Sequence, residues 1–363
     1  MTKDKKILLV GATFGSNFGD FLFAKMFQDF IREKLGIENV FWYKSVCARS
    51  DYFPKYLNYD RNYRLKDIDA LVYISGGYFM GNDTKPIHYV IRFLSYFWIG
   101  IRCIIRRIPY CIIGVEAARS NSRIIDWIQH IILRNAKVVV VRNKLSFDYV
   151  IGAVSDKVPV YCTSDSVFSM QKHFYDEYPI EEEISKGNKP MLFLHVNPYH
   201  NNNQKIIDCI VPVINQFIKN HPEFSIVLGT DQYGPDMISA MENVRGYIQS
   251  NNVILNTYGN PVSLCGVLDE CSVIVTTKLH VGIVGAHFGK SVISFSGHTS
   301  KIKRLYEQLG LDDRTTPLNT LTIESGVSML ETYYNKPITV DKKIIDSAKD
   351  NFKILNDFID AIK

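Results

Sequence analysis

Short apolar runs alternate with longer amphipathic segments along the first half of the chain. Four of these runs are bounded by turn residues, as buried parallel strands are, and they cover residues 6–10, 71–75, 110–114 and 137–141. Helix-length segments separate them at residues 20–35, 87–107 and 122–132. Regular alternation of strand and helix predicts a doubly wound, Rossmann-like sheet.

A polar segment interrupts this pattern at residues 171–190. It contains acidic residues, two prolines and a glycine, a composition typical of an interdomain linker. The alternation then resumes, with strands predicted at 191–195, 225–228, 273–276 and 291–295 and helices at 205–219 and 300–309. From Asp341 onward, apolar residues at helical spacing predict a final helix that packs back against the first lobe. The expected organisation is a first lobe at 1–170, a linker at 171–190, a second lobe at 191–340 and a C-terminal helix at 341–363.

Composition and charge agree with a globular enzyme of two domains. Hydrophobic residues make up 46% and charged residues 22% of the 363 residues, so the chain can bury two cores and is not a disordered protein. The net charge is 42 − 37 = +5. This mild excess does not indicate a nucleic-acid partner, and it suits an enzyme surface, an anionic small molecule or an anionic membrane surface.

The cysteines and the N-terminus indicate a cytoplasmic protein. The seven cysteines are scattered through the chain, their number is odd and no CxxC pair occurs, which is typical of reduced thiols. The first residues run directly into a predicted strand without the architecture of a signal peptide. We therefore expect the protein in the cytoplasm.

One apolar and aromatic segment, residues 89–110, qualifies this expectation. Arginines interrupt it at positions 92, 102, 106 and 107, so we expect it to be too short and too charged to cross a bilayer. Two interpretations stay open. The segment is either a buried helix of the first sheet, with arginines at its exposed end, or an interfacial helix that makes peripheral contact with the inner face of the membrane.

Two glycine motifs follow predicted strands in the first lobe. In the first, GATFGSNFGD at residues 11–20, the glycines are spaced by four, so it is neither a dinucleotide fingerprint nor a Walker loop. It either binds a ligand or forms a turn in which Asp20 caps the first helix. The second, Ser75-Gly76-Gly77-Tyr78, indicates either a tight turn or a close approach of the backbone to substrate.

Candidate anion ligands stand at two further strand ends. Arg142 ends the strand at 137–141, and Thr163-Ser164-Asp165 follows a strand predicted at 158–161. A guanidinium fork suits a carboxylate or a phosphate, so Arg142 is a candidate ligand for such a group. A salt bridge on the protein surface is the alternative role.

The most informative motif spans residues 273–294. Lys278 and His280 stand where a predicted strand ends and a helix of small residues begins. A cation and an imidazole at a helix N-terminus can bind an anion and transfer a proton, whereas capping or packing is the alternative for His280. The other histidines lack metal-ligand spacing and no DxD pair stands where a nucleotide-sugar metal would bind, so we expect no metal.

Taken in order, these motifs resemble those of the polysaccharide pyruvyltransferase family. GSNFGD corresponds to the family's GNxGD-like element, SGGYF to its strand followed by glycines, VRNKLS to RD-x-x-S and TSD to a short motif that ends in aspartate. TTKLHVGIVGAHFGKSVI corresponds to S-R-L-H-G, a small-residue helix and GKPVI, and the resemblance spans residues 5–310. The chain departs from the family at Lys278, Asn143 and Ser291, which replace an arginine, the aspartate of RD and the proline of GKP.

The resemblance implies an α/β fold of GT-B type, with two Rossmann-like lobes facing a central cleft. It implies transfer of a pyruvyl group from phosphoenolpyruvate to a sugar hydroxyl pair as a cyclic ketal, in surface or capsular polysaccharide biosynthesis. No cofactor is implied beyond this donor, and the glycan acceptor is free or lipid-linked. His280 would be the catalytic residue. The substrate-binding residues would be Arg142, Lys278, Asn17, Asp20, Gly77 and Asp165.

Two other functions stay open at this stage. A metal-independent GT-B glycosyltransferase that uses a nucleotide sugar would share the architecture. A non-catalytic protein that binds a glycan or a membrane would use Lys278 and His280 only structurally. Release of phosphate from phosphoenolpyruvate selects the pyruvyltransferase, release of a nucleotide selects the glycosyltransferase, and release of neither favours the binding protein.

Overall fold

The chain forms two compact units. The computed structural model describes residues 4–13, 15–44, 55–80, 85–171, 174–185, 189–197, 202–296 and 299–362. The first unit comprises Met1–Ser16, Asp20–Met170 and Lys343–Lys363, and the second comprises Asn17–Gly19 and Gln171–Lys342.

A parallel sheet of seven strands forms the centre of the first unit. The strands are β1 (Ile7–Val10), β2 (Val40–Trp42), β3 (Ala70–Tyr73), β4 (Gly76–Phe79), β5 (Tyr110–Ala117), β6 (Val139–Val141) and β7 (Val160–Cys162). Their order is β2-β1-β3-β5-β6-β7, and β4 pairs with β5 beside this path. Strands β1, β3, β5 and β6 are buried along their whole length, as expected for parallel strands covered on both faces.

A parallel sheet of six strands forms the centre of the second unit. The strands are β8 (Met191–His195), β9 (Ser225–Gly229), β10 (Val253–Asn256), β11 (Val273–Thr276), β12 (Ser291–Ser296) and β13 (Thr315–Pro317). Their order is β10-β9-β8-β11-β12-β13. Counted within the unit this is 3-2-1-4-5-6, the order of dinucleotide-binding folds. The order reverses between β8 and β11, and ligands of such sheets bind beyond the carboxyl ends of the strands at this point.

Helices connect the strands in both units. In chain order they are α1 (Phe18–Asp29), α2 (Pro86–Arg92), α3 (Trp98–Arg106), α4 (Arg123–Asn135), α5 (Lys144–Ala153), α6 (Glu182–Ser185), α7 (Asn202–Lys205), α8 (Val211–Asn220), α9 (Pro235–Arg245), α10 (Pro261–Glu270), α11 (Leu279–His287), α12 (Thr299–Leu309), α13 (Ile323–Tyr333) and α14 (Lys342–Asp360). One π-helical turn, Phe93–Phe97, joins α2 to α3 in a continuous helix, and another, Ile206–Ile210, joins α7 to α8.

The C-terminal helix α14 packs on the first unit, as the sequence predicts. The ring of Phe352 lies 4.9 Å from the rings of Phe27 and Phe30. The buried side chain of Asn351 accepts a hydrogen bond from Thr163 Oγ1 at 3.0 Å and donates one to the carbonyl of Ser164 at 3.0 Å. The helix therefore closes the core beside the end of β7 by both apolar and polar contacts.

Two parts of the chain differ from their sequence-based expectation. Gly76 and Gly77, interpreted as a turn or a ligand loop, belong to strand β4, which pairs with β5. The expected linker contributes to the second unit, where the ring of Tyr175 lies 5.3 Å from that of Phe288 and Ile184 is buried. Its polar composition is that of a surface segment that packs on the second unit through a few apolar side chains.

Candidate active site

Three neighbouring strands of the second unit carry polar residues at their carboxyl ends. His195 is the last residue of β8, Asp231 lies two residues after β9, and Thr277 and Lys278 follow β11 directly. Because β8 lies between β9 and β11, the parallel sheet brings these side chains together at its switch point.

The buried carboxylate of Asp231 lies at the centre of this group. Its Oδ1 is 3.2 Å from Nε2 of His195, and its Oδ2 is 3.3 Å from Nζ of Lys278 and 3.3 Å from Nδ2 of Asn17. The backbone N–H of Phe18 donates to the carbonyl of Asp231 at 2.9 Å. Asp231 thus accepts bonds from two strand ends and from the segment Asn17–Gly19, which belongs to the same unit.

The charge of Asp231 is set by its surroundings. Burial alone would raise the pKa of this carboxyl, but the ammonium of Lys278 and the ring of His195 outweigh it and hold the pKa well below its ordinary value. An ionised carboxylate only accepts hydrogen bonds, so His195 donates from Nε2. In the neutral ring Nδ1 then accepts the bond from Oγ1 of Thr277, 3.2 Å away.

Lys278 precedes the first turn of α11, and its side chain does not cap the helix. It occupies the N-cap position with an extended backbone, and its side chain makes no capping hydrogen bond. Its side chain is 23% exposed, so the ammonium that touches Asp231 also reaches solvent. An ammonium and the first N–H groups of a helix form an arrangement that favours an anion.

His280 lies in the first turn of α11, in close contact with Gly19. A β-carbon at Gly19 would overlap Nδ1 and the neighbouring ring atoms of His280. Only glycine therefore fits beside this imidazole. The helix itself can lie close to the sheet because its residues are small, since a β-carbon at Gly285 would overlap Ile274 of β11.

In the first unit, Arg142 is buried between two carboxylates. Its Nη1 donates to Asp165 at 2.7 Å and its Nη2 to Glu116 at 3.0 Å. Burial alone would lower the pKa of Arg142, but Asp165 and Glu116 outweigh it and raise that pKa. The guanidinium is already neutralised by these partners, so this geometry favours an organising role over that of an anion ligand. The salt bridge considered from the sequence is present, and it is buried instead of lying on the surface.

The family-like residues that follow Arg142 have structural roles. The side chain of Asn143 caps α5 by accepting a hydrogen bond from the N–H of Ser146 at 2.9 Å. An aspartate would cap the helix equally well, which explains why asparagine is tolerated here. Ser146 Oγ in turn accepts from the N–H of Ala117 at 3.0 Å and ties α5 to β5.

The structure therefore separates the predicted site residues into two groups. Asn17, Lys278 and His280 belong to the second unit, and Asp20, Gly77, Arg142 and Asp165 belong to the first. Asp20 lies in the first turn of α1, and its charge contributes to the raised pKa of the buried Tyr78, after burial itself and Tyr96.

Sequence reasoning missed His195 and Asp231. Each follows or ends an apolar strand that the sequence does predict, so a search for polar residues at strand ends would have found both. Among the residues that the structure describes, no group of three or more histidine, cysteine, aspartate or glutamate side chains is placed to hold a metal ion.

Comparison with solved structures supports the same architecture. A putative UDP-N-acetylglucosamine 2-epimerase from Listeria monocytogenes is 10% identical with a TM-score of 0.65, covering 97% of this chain and 95% of that chain. UDP-GlcNAc 2-epimerase from Neisseria meningitidis bound to UDP-GlcNAc is 14% identical with a TM-score of 0.62, covering 97% and 100%. MurG from Acinetobacter baumannii is 13% identical with a TM-score of 0.52, covering 98% and 99%. At such identities the likeness shows the fold alone, two Rossmann-like units of GT-B type.

Comparison of sequences is more specific. No curated protein matches the chain significantly. The model of the family described as polysaccharide pyruvyl transferase matches residues 17–299. This range contains Asn17, Asp231, Lys278 and His280 and covers more than half of the chain. The chain therefore belongs to the polysaccharide pyruvyl transferase family.

Proposed function

We propose that this protein transfers a pyruvyl group from phosphoenolpyruvate to two hydroxyls of a glycan as a cyclic ketal. The observation that carries the proposal is the N-terminus of α11, where the ammonium of Lys278 contacts the buried carboxylate of Asp231 and His280 lies in the first turn of the helix. Family membership supports a transferase of this class. The acceptor is a sugar of a surface polysaccharide, free or lipid-linked.

The N-terminus of α11 would bind one anionic group of the donor. Lys278 supplies a positive charge that reaches solvent, and the helix supplies N–H groups that its N-cap side chain does not occupy. Asp231 holds the ammonium at the strand end, because its pKa is lowered and it stays ionised. Lysine binds phosphate as a point charge, so it can replace the arginine of the family without the bidentate geometry.

His280 would move the proton that the reaction needs. The terminal methylene of the donor gains a proton and becomes a methyl group, and one sugar hydroxyl adds to the neighbouring carbon. The C–O bond to phosphate then breaks, and the second hydroxyl closes the ring. The two hydroxyls lose two protons, of which one balances the methyl group and the other leaves with the phosphate. An imidazole is the side chain best suited to such transfers near neutral pH.

The other candidate residues take supporting roles in this proposal. Arg142, Asp165 and Glu116 organise the ends of β5 and β6 through the buried ion pairs. Asn17 fixes the segment before α1 to Asp231. Asp20 and Gly77 stay candidates for contact with the acceptor. The proposed reaction uses phosphoenolpyruvate as a substrate and needs no cofactor.

Incubation with defined donors tests the proposal. With phosphoenolpyruvate and glycan acceptors, both soluble and lipid-linked, we expect release of inorganic phosphate and an acceptor heavier by one pyruvyl group. UDP-sugars replace phosphoenolpyruvate in a parallel set of reactions. Release of UDP there, without phosphate release from phosphoenolpyruvate, would establish a nucleotide-sugar transferase and overturn the proposal.

A further inference from the structure

A continuous helix on the first unit combines a core face with a large exposed face. It runs from Pro86 to Arg106 over 21 residues, and its most apolar window of 18 residues has a mean hydropathy of 1.2, so its length and composition alone would suffice to cross a membrane. The sequence-based expectation that this segment is too short was therefore wrong. Its inner face packs in the first unit, where Phe97, Ile99 and Cys103 are fully buried. Only 28% of its most apolar window is buried, however.

The exposed face of this helix is apolar. Ile87, Ile91, Trp98 and Ile105 are all exposed. Ile87 and Ile91 lie one turn apart before the π-helical turn, and Trp98 and Ile105 lie two turns apart after it, so each pair shares one side of the helix. Ile105 is 73% exposed. An exposed stripe of this length marks an interaction surface more often than an isolated apolar residue does.

The neighbouring helix α4 also exposes large apolar side chains. It packs beside α3 and exposes Ile124 and Trp127, which are 70% and 64% accessible to solvent. Ile125, Ile132 and Leu133 of the same helix are buried, so α4 carries apolar residues on its exposed face as well as on its buried face. We call the exposed set Ile87, Ile91, Trp98, Ile105, Ile124 and Trp127 the apolar patch.

The charges around the apolar patch are mainly positive, and Asp126, the one carboxylate of α4, has a side chain only 14% exposed. Residues 85–110 contain five lysine or arginine residues and no aspartate or glutamate. Arg106 and Arg107 are exposed at the C-terminal end of α3, and Arg123 is exposed at the first turn of α4. Protein surfaces that lie on anionic membranes typically combine apolar side chains and tryptophans with a rim of arginines or lysines, and the apolar patch has this composition.

We propose that the apolar patch and its arginines dock the first unit on the surface of an anionic lipid bilayer. The helix Pro86–Arg106 does not cross the bilayer, since its inner face belongs to the protein core. The tryptophans enter the interface, and the arginines contact the anionic headgroups. This inference goes beyond the proposed transferase and holds whichever donor the enzyme uses.

Co-sedimentation with vesicles tests the docking. The full-length protein is mixed with vesicles of phosphatidylcholine alone, or of phosphatidylcholine and phosphatidylglycerol, at low and at physiological salt. We expect binding to the anionic vesicles that weakens with salt. Each arginine contributes about fivefold to partitioning, so the triple variant Arg106→Gln, Arg107→Gln, Arg123→Gln should bind about 100-fold more weakly. The triple variant Lys219→Gln, Lys342→Gln, Lys353→Gln changes exposed cations elsewhere by the same charge and should bind like the wild type.

Tryptophan fluorescence identifies the face that touches the lipid. The chain has three tryptophans, and Trp42 is fully buried. Brominated anionic lipid should quench the wild type but not the double variant Trp98→Phe, Trp127→Phe, in which only Trp42 emits.

No binding to anionic vesicles at low salt, or equal binding of both triple variants, would overturn the proposal. A dimer in sedimentation velocity that dissociates on Trp127→Gln would assign the patch to a second copy of the chain instead.

Discussion

The ammonium of Lys278 lies 3.3 Å from the buried carboxylate of Asp231, which also accepts a hydrogen bond from His195. Removing the charge by Asp231→Asn should cost about 2 kcal/mol of unfolding free energy near neutral pH, as hydrogen bonds to charged groups typically do. The folded-state pKa of Asp231 is lowered. Its stabilising contribution is therefore fully present above the unfolded-state pKa of about 3.9 and declines as the pH falls from there toward the folded-state pKa. Denaturant unfolding of both proteins from neutral pH downward measures this difference. A difference that grows as the pH falls would contradict an ionised Asp231.

Substitutions of Lys278 test whether its charge binds the donor. We expect Lys278→Met to raise the KM for phosphoenolpyruvate about 10- to 100-fold, because the ligand loses a charge-assisted contact. Lys278→Arg restores the residue of the family and should keep the donor KM within about threefold. Initial rates at varied donor and fixed acceptor concentrations measure both. If Lys278→Met changes only the KM of the acceptor, Lys278 does not contact the donor.

Gly19 tests the position of His280. Gly19→Ala places a β-carbon where the imidazole lies, so the ring must move, and such misplacement typically costs about 100-fold in rate. Gly152→Ala is the control, since a β-carbon there meets no atom within 4 Å. The ratio kcat/KM and the thermal midpoint are measured for both variants. A Gly19→Ala enzyme with wild-type activity would show that His280 has no fixed catalytic position.

His280 itself should be indispensable for turnover. His280→Ala should lower kcat about 100- to 10,000-fold, the usual cost of losing a positioned acid or base. The thermal midpoint should change little. His130→Ala, on α4 in the first unit, is the matched control and should keep its activity. More than about a tenth of the wild-type kcat in His280→Ala would contradict the proton-transfer role.

Arg142 should contribute to the stability of the fold and not to binding of the donor. Arg142→Ala leaves Glu116 and Asp165 buried without their cation, and such a loss typically costs about 3–5 kcal/mol. Arg64→Ala removes an exposed partner of Asp67 and should cost less than about 1 kcal/mol. Chemical denaturation compares the two. A stable Arg142→Ala enzyme whose KM is raised for phosphoenolpyruvate but not for the acceptor would show that Arg142 binds the donor.

The central strands of both sheets could be read from the sequence because they are apolar runs between turn residues. Strands β8 and β11 have the predicted bounds. Strand β13, with the sequence TTP, lacks an apolar run because it lies at the edge of the sheet. Strand β4 was missed because paired glycines usually indicate a turn.

The site was predictable only where its residues are neighbours in sequence. Lys278 and His280 share one strand–helix junction, which a motif can reveal. His195 lies 36 residues from Asp231 and 82 from Thr277, so only the strand order brings them into contact. The roles of Arg142 were also ambiguous, because a guanidinium at a strand end can bind a ligand or a carboxylate, and the choice depends on Glu116 and Asp165 across the sheet.

The most direct measurement of the proposed chemistry is the reaction carried out in deuterated water. If an acid of the enzyme protonates the methylene of phosphoenolpyruvate, the ketal methyl group of the product takes its new hydrogen from the solvent. We predict an acceptor whose mass increases by one pyruvyl group with one deuterium, formed together with one equivalent of inorganic phosphate. We predict that His280→Ala forms this product at least about 100-fold more slowly. A pyruvyl product without deuterium in its methyl group, or a pyruvyl product formed equally well by His280→Ala, would contradict the proposed reaction at this site.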